Sequence, residues 1–202
     1  MQSPRRWRAL DPANLYVAVG LLLLLGSLWV PWLTAQRTAR VERRADELAE
    51  LLLEVAAPFA PPVDPQLREY LLARLLLLAS CRGVLVGDLE EVDPPSPGAS
   101  WTLQNKHYLF SLQPSPPEPN LLVGRDTVPA FEVVAWPREP IGPGHCAFFH
   151  PAGAPRAFTR NLAADYHGLE HPPKPGSSHR LARSIDHPAA YRGADDERWL
   201  VY

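Results

Sequence analysis

The sequence predicts an α+β protein in which an N-terminal transmembrane helix continues into an amphipathic helix, followed by a second helix and a small antiparallel β-sheet. Three observations predict this fold class. A long uncharged apolar run opens the chain, apolar residues at helical spacing follow on both sides of a proline-rich segment, and the period changes to alternation beyond residue 100. The 202 residues are enough for one domain and an anchor.

The first element is the apolar run. No charged residue occurs from Pro12 to Gln36, and about 20 apolar residues are enough to cross the hydrocarbon core of a bilayer. Asp11 followed by Pro12 is a favourable helix start, because aspartate caps the first turn and proline fixes φ. The sequence therefore predicts a short basic tail over residues 1–11 and a transmembrane helix over residues 12–36.

A cleaved export signal is the alternative interpretation of this segment. Arg5, Arg6 and Arg8 provide a positively charged start. The apolar run is longer than that of a typical signal, however, and the stretch LTAQ places Leu33 where a cleavage site needs a small residue. A retained anchor is therefore the favoured interpretation.

The membrane helix is expected to continue as an amphipathic stalk helix over residues 37–57. No strong helix breaker lies between Pro31 and Pro58, and apolar residues recur at helical spacing. These are Val41, Ala45, Leu48, Leu51, Leu52 and Val55. Two separate helices with a hinge near residues 34–37 are the alternative. The stretch RTARVERRADE is compatible with a basic patch on a membrane surface, but its interleaved acidic residues favour a solvated helix face.

A globular α+β domain is predicted over residues 64–160. Asp64 and Pro65 begin a second helix, which ends near Cys81 and Gly83. The stretches HYLFSL and FEVVAWP alternate as strands do, and CAFFHPAGAPRAFT has the strand–turn–strand pattern of a hairpin. Residues 161–202 form a polar tail rich in proline and histidine, whose final stretch RWLVY predicts a short strand at a sheet edge.

This order of elements resembles that of type IV pilins and of type II secretion pseudopilins, over about residues 14–160. The helix that runs from apolar into amphipathic and the strand stretches quoted above carry the resemblance. It implies a structural or assembly role at a bacterial inner membrane. The chain lacks the glycine and glutamate of prepilins at the matching places, since Gly20 lies within the apolar run and Leu25 occupies the position of the glutamate.

Cys81 and Cys146 are the only cysteines. In an outward-facing domain they would form a disulfide across a loop of about 65 residues, which would stabilise the fold by restricting the unfolded chain. Two buried free thiols are the alternative. Arginines flank the apolar run almost equally on both sides, so the expected disulfide is the reason to place the domain outside.

Candidate catalytic and metal-binding residues are weakly indicated. Histidines concentrate in the last third of the chain without the tight spacing of a zinc site. They are His145, His150, His167, His171, His179 and His187. In a strand, His145 and His150 would point to opposite faces. Asp165 and His167 place an acid near a base, but no nucleophile motif or phosphate-binding glycine loop occurs. We expect no catalytic residue, no metal and no cofactor.

The sequence therefore favours a single-pass protein of the cell inner membrane that presents a small extracytoplasmic α+β domain in a non-enzymatic role. Its expected partners are the lipid bilayer, other membrane or secretion-system proteins, and copies of itself. A net charge of −2 gives no global attraction to nucleic acid, which we do not expect as a partner. The alternative is a membrane-anchored enzyme or metal-binding domain that uses the histidine-rich C-terminal third.

Overall fold

The computed structural model describes residues 12–59, 64–95, 101–115, 131–179 and 190–202, with side chains from Leu15 onward. Its internal contacts divide the chain into two units, Met1–Arg37 and Thr38–Tyr202. The described part of the first unit is apolar helix, and the second unit combines helix with an eight-stranded antiparallel sheet. The predicted α+β fold class is confirmed.

Helix α1 extends from Pro12 to Ala56 as one element, so the two-helix alternative is not what the structure shows. An 18-residue window of this helix has a mean hydropathy of 2.0 and is entirely unburied. Within the run, the hydroxyl groups of Ser27 and Thr34 donate to carbonyls of the preceding turn, so neither hydroxyl is an unpaired donor. The helix is long and apolar enough to span a membrane.

In the second unit, the predicted apolar stripe of α1 is buried. The buried residues of the stripe are Ala45, Leu48, Leu51, Leu52 and Val55. Helix α2, Pro65–Arg82, buries Leu71, Leu75 and Ala79 in the same core. Both of its predicted ends are confirmed, because Asp64 Oδ1 accepts the Leu67 N–H at 2.8 Å and Gly83 closes the helix at a left-handed φ of 69°.

The eight strands are short. Their bounds are β1 Glu90–Val92, β2 Trp101–Gln104, β3 Tyr108–Gln113, β4 Glu132–Pro137, β5 Ala147–Pro151, β6 Ala157–Thr159, β7 Ala190–Arg192 and β8 Arg198–Val201. Their spatial order is β1-β2-β3-β4-β5-β6-β8-β7. The predicted hairpin is confirmed as β5 and β6, which pair antiparallel.

The predicted final strand exists as β8, but it does not lie at the sheet edge. It pairs with β6 on one side and with β7 on the other, and β7 is the edge strand. The sequence could not show this, because the three residues of β7 are too few to display a strand period. β1 and β2 were not predicted either.

The two faces of the sheet have separate cores. The helix-covered face is packed against α1 and α2. It includes alternate residues of the two predicted strand stretches HYLFSL and FEVVAWP, which are Tyr108, Phe110 and Leu112 of β3 and Phe131, Val133 and Ala135 in and beside β4. The opposite side, which we call the loop-covered face, buries Leu109, Val134, Trp136, Phe149 and Trp199 with Tyr166. Residues 161–179, predicted as a polar tail, therefore contribute to a core.

Candidate functional site

Three acidic side chains of α1 bind the sheet. Glu42, Asp46 and Glu50 recur every four residues, so they lie on one side of the helix, and we call them the acidic row. Glu42 Oε1 accepts the backbone N–H groups of His145 and Cys146 at 3.0 and 3.3 Å. The row extends to Glu50, whose Oε2 lies 2.7 Å from an Arg156 guanidinium nitrogen. The row therefore ties α1 to the β5–β6 hairpin and the segment before it.

Asp46 lies at the centre of the acidic row. His150 of β5 is fully buried, and its Nε2 lies 2.8 Å from Asp46 Oδ1, an oxygen that also accepts the Tyr202 hydroxyl. Burial raises the pKa of Asp46, but the hydrogen bonds from His150 and Tyr202 outweigh it and hold the pKa below its ordinary value of 3.8. Burial and the Asp46 carboxylate raise the pKa of the Tyr202 hydroxyl. The centre of the row is thus an ionised carboxylate with two donors, the buried His150 and the exposed Tyr202.

His150 has one ring nitrogen left over. Its Nε2 carries the proton in this arrangement because Asp46 can only accept, and its Nδ1 is buried without a hydrogen-bond partner among the described residues. A histidine oriented by a carboxylate is also the arrangement of a general base. His150 is fully buried, however, so Nδ1 faces protein atoms and not an approaching substrate. We therefore interpret the pair as structural.

A second polar cluster lies on the loop-covered face around Glu132, at the start of β4. Glu132 is fully buried. Its Oε1 accepts a side-chain N–H of Gln113 at 2.8 Å and the backbone N–H of Gly176 at 2.9 Å. Its Oε2 accepts the Ser115 hydroxyl at 3.2 Å and lies 4.0 Å from His179 Nε2. We call these five residues the Glu132 cluster.

Burial raises the pKa of Glu132, although the N–H groups of Gly176 and Gln113 and the nearby His179 imidazole favour its ionised form. The carboxyl group joins β3 and β4 to the segment around Gly176. This segment has little other regular structure to hold it on the sheet. The first role of the cluster is therefore to anchor an irregular segment.

The cluster also contains one contact found in hydrolases. Ser115 Oγ and His179 Nε2 are 3.2 Å apart, the distance of a nucleophile–base contact, although the single hydroxyl proton of Ser115 is donated to Glu132 in this arrangement. In a hydrolytic triad the carboxylate orients the histidine through its other ring nitrogen. Glu132 instead bonds to the serine and faces Nε2. The cluster therefore has the nucleophile–base contact of a triad without its orienting contact.

The predicted disulfide is not present. Cys81 and Cys146 are free thiols and do not lie at disulfide distance. Cys81 is exposed in the last turn of α2, whereas Cys146 is half-buried beside Glu42. Burial, together with the Glu42 carboxylate, raises the pKa of the Cys146 thiol to about 12. The two side chains face different surroundings, so the disulfide no longer supports an outward-facing domain.

The predicted histidines are dispersed, and His187 lies outside the described residues. His150 and His179 belong to the two clusters above, and His145 precedes β5, so the expectation about strand faces does not apply to it. His167 Nε2 lies 3.1 Å from His171 Nδ1, and its own Nδ1 lies 3.4 Å from Asp165 Oδ1. Within the described parts of the chain, no group of three or more His, Cys, Asp or Glu residues could hold a metal ion.

Two signals for these clusters were present in the sequence. The four-residue spacing of the acidic row places it beside the apolar stripe of α1, where side chains meet the sheet. Glu132 shares its alternation with Val134 and Trp136 in the stretch FEVVAWP, which marks it as facing a second buried surface. The acidic row was missed because its residues were expected on a solvated helix face. Glu132 was missed because the residues that cover its face of the sheet were expected to form a polar tail.

Comparison with known proteins identifies no relative. No family model matches the chain, no curated protein matches it, and no solved structure matches its fold. The function therefore has to be inferred from the chain's own residues and geometry.

Proposed function

We propose that this protein is a single-pass inner-membrane protein that presents its α+β domain on the extracytoplasmic side in a structural or assembly role. One observation carries the proposal. Leu21 to Leu25 are all more than half exposed, and none of the apolar window around them is buried. Leaving side chains of this size in water forgoes about 1.5–3 kcal/mol for each of them. A bilayer would bury all of them at once.

The proposed side of the membrane rests on the pilin-like order of elements. Charge does not decide it, because the arginines of residues 1–11 are balanced by those of residues 37–44. The free Cys81 provides a test that needs no added label site. It is exposed, whereas Cys146 is half-buried with a raised pKa.

The test applies a membrane-impermeant maleimide to intact bacterial spheroplasts that express the full chain. We expect Cys81 to be labelled without a reducing agent, and the label to be lost in Cys81→Ser. Labelling of Cys81 only after lysis would place the domain in the cytoplasm and refute the proposed side. Recovery of the chain in the soluble fraction after an alkaline carbonate wash would refute anchorage itself.

The assembly role is the finer part of the proposal. In the second unit the apolar stripe of α1 is buried against the domain's own sheet, so it is not free to bind neighbours. Self-association would therefore use the apolar run of the first unit. Two differently tagged copies, extracted together in mild detergent, should co-purify. Replacing the apolar run with an unrelated transmembrane helix should abolish this, and independent elution of the unmodified copies would refute self-assembly.

A membrane-anchored hydrolase is the second candidate function, favoured by the contact between Ser115 and His179. A fluorophosphonate probe on the full chain in detergent tests it directly. Labelling that disappears in Ser115→Ala and persists in Ser80→Ala, an exposed serine of α2, would support a nucleophilic Ser115. Equal labelling of the two variants would leave the Glu132 cluster with its anchoring role alone.

A further inference from the structure

In the second unit, the acidic row of α1 and the pair Arg40 and Arg44 lie on different sides of the helix. Each member of the acidic row has a partner in or beside the sheet. Arg40 and Arg44, also four residues apart, are exposed, and neither forms an ion pair with a described residue. Two of the acidic residues that favoured a solvated helix face in the sequence, Glu42 and Asp46, are therefore occupied by the domain. No described carboxylate lies within ion-pair distance of either arginine, although Glu47 follows Arg44 by one helical turn.

Arg44 also lines an apolar groove of about 410 Å³, which we call the Arg44–Lys106 groove. Val41, Leu85 and Val86 contribute apolar lining, and the described lining residues include Lys106 but no carboxylate. A volume of this size is within the range of about 300–1,000 Å³ that small-molecule pockets occupy. Charge and shape therefore suit a ligand with an anionic head and an apolar body.

The groove is lined by an exposed leucine, Leu85, and by an exposed lysine, Lys106. Leu85 is 65% exposed, although it follows a well-capped helix and its neighbours Val84 and Val86 are half-buried. Lys106 is held in a tight turn, in which Asn105 Oδ1 accepts the backbone N–H groups of His107 and Tyr108 at 2.9 and 2.8 Å. An exposed leucine next to exposed cationic side chains is typical of surfaces that meet a membrane interface.

The length of chain between the groove and the apolar run is short. Val41 lies five residues beyond Gln36, the last residue of the uncharged run. Five residues span at most about 18 Å even when fully extended. With the apolar run in a bilayer, the groove is therefore tethered within reach of the lipid headgroups.

We propose that the Arg44–Lys106 groove binds an anionic phospholipid of the membrane that holds the apolar run. The lipid phosphate would contact Arg44 and Lys106, and the beginning of the acyl chain would contact Leu85 and Val86. The guanidinium group can give two parallel hydrogen bonds to phosphate, while the ammonium group adds a compact charge. This inference rests on the membrane anchorage proposed above.

The test places a photoreactive benzoylphenylalanine at position 85 of the full chain, reconstituted in nanodiscs. The discs contain phosphatidylcholine alone or mixed with phosphatidylglycerol, and lipid adducts are identified by mass spectrometry. We expect phosphatidylglycerol adducts at position 85 to exceed those of phosphatidylcholine. Arg44→Gln with Lys106→Gln should reduce them by roughly tenfold or more, since both charge-assisted contacts to the lipid phosphate are lost.

Two controls make the result specific. Arg43→Gln removes a neighbouring exposed arginine that does not line the groove, and it should leave the adducts unchanged. Position 162, where Leu162 is also highly exposed but lies away from the groove, should give no preference for phosphatidylglycerol. Adducts that persist in the double variant, equal adducts with both lipids, or a crosslink to a second copy of the chain would each overturn the proposal.

A third label position distinguishes failure of the lipid-binding proposal from failure of the membrane-anchor proposal on which it rests. The same photoreactive residue at position 23, in the apolar run, reports anchorage alone. Lipid adducts at position 23 with none at position 85 would refute the groove and leave the membrane anchor standing. No lipid adducts at either position would refute the anchor, and the lipid site with it.

Discussion

The two faces of the sheet are covered by different kinds of structure, and they hold their carboxylates differently. Helices cover one face with apolar side chains. At its margin Asp46 and Glu50 of the acidic row bind side chains of the β5–β6 hairpin, and Glu42 accepts backbone N–H groups of the segment before β5. Residues 161–179 cover the other face. There Glu132 and Glu197 are buried, and they accept backbone N–H groups of the covering segment.

The difference follows from backbone hydrogen bonding. A helix pairs its own N–H and C=O groups, so it can lie on an apolar surface without further partners, whereas an irregular segment needs acceptors when it is buried. Glu197 Oε2 accepts the N–H groups of Ala163 and Ala164 at 2.9 and 2.8 Å. Burial raises the pKa of Glu197, but these bonds and that from Thr159 outweigh it, so the pKa lies below its ordinary value.

The largest effect should come from apolar truncation on the helix-covered face. Leu75 of α2 is fully buried, and Leu75→Ala should lower the free energy of unfolding by about 2–5 kcal/mol. Tryptophan fluorescence during urea unfolding of the full chain in detergent micelles measures this. Leu77→Ala, on the exposed side of the same helix, should change stability by less than about 0.5 kcal/mol. Similar losses in both variants would contradict the packing described for this face.

Removing a buried acceptor should have the next largest effect. Glu132→Ala leaves the Gly176 N–H and the Gln113 amide without their acceptor, and should cost about 1–3 kcal/mol. Hydrogen exchange should accelerate in residues 172–179 before it does in β3 and β4. Uniform acceleration across the sheet would show that the carboxyl group does not act mainly on the covering segment.

Glu132→Gln tests the same buried carboxyl group through the pH dependence of stability. Because the pKa of Glu132 is raised in the folded state, its ionisation destabilises the domain as the pH rises above its ordinary value of 4.5. Glutamine keeps an acceptor oxygen without this charge. The stability of the variant relative to the wild type should therefore increase between pH 4.5 and neutrality. A constant difference over that range would contradict the raised pKa.

Asp46→Asn should show the opposite pH dependence. The pKa of Asp46 is lowered in the folded state, so the ionised group stabilises the domain above pH 3.8, and this contribution is lost as the pH falls through the folded-state pKa. We expect a loss of about 1–3 kcal/mol at neutral pH that shrinks in acid. Asp88→Asn, at an exposed position, is the matched control. A loss independent of pH would mean that shape, and not charge, matters at Asp46.

The smallest effect should come from the ion pair between Arg82 and Glu54. The two groups are 2.7 Å apart, but both are nearly half exposed. Arg82→Gln should cost less than about 1 kcal/mol and should cost less still at high salt. A double-mutant cycle with Glu54→Gln isolates the pair. A coupling energy above about 2 kcal/mol would mean that an exposed ion pair on the helix-covered face stabilises the domain as strongly as buried polar contacts do.

The elements that were predicted correctly from the sequence depend on residues that are close together in the chain. The cap at Asp64, the left-handed Gly83 and the stripe of α1 each depend on residues within a few positions of one another. Asp46 forms hydrogen bonds with His150, which is 104 residues away in the chain, and with Tyr202, which is 156 residues away. No local sequence pattern specifies such partners. The disulfide was inferred from cysteine number alone, which carries no information about side-chain direction.

The position of β8 between β6 and β7 determines when the sheet can be completed during synthesis. β6 has no neighbour on its outer side until residues 198–201 have been synthesised, because β8 is inserted between β6 and β7. At about 5–20 residues per second, the ribosome needs roughly 8–30 s to proceed from Asp46 to Tyr202. During that interval the nascent chain exposes a leucine-rich helix and an open strand edge. The sheet is therefore completed only after β8 has been translated, and until then the growing chain carries exposed apolar surface of the kind that chaperones bind.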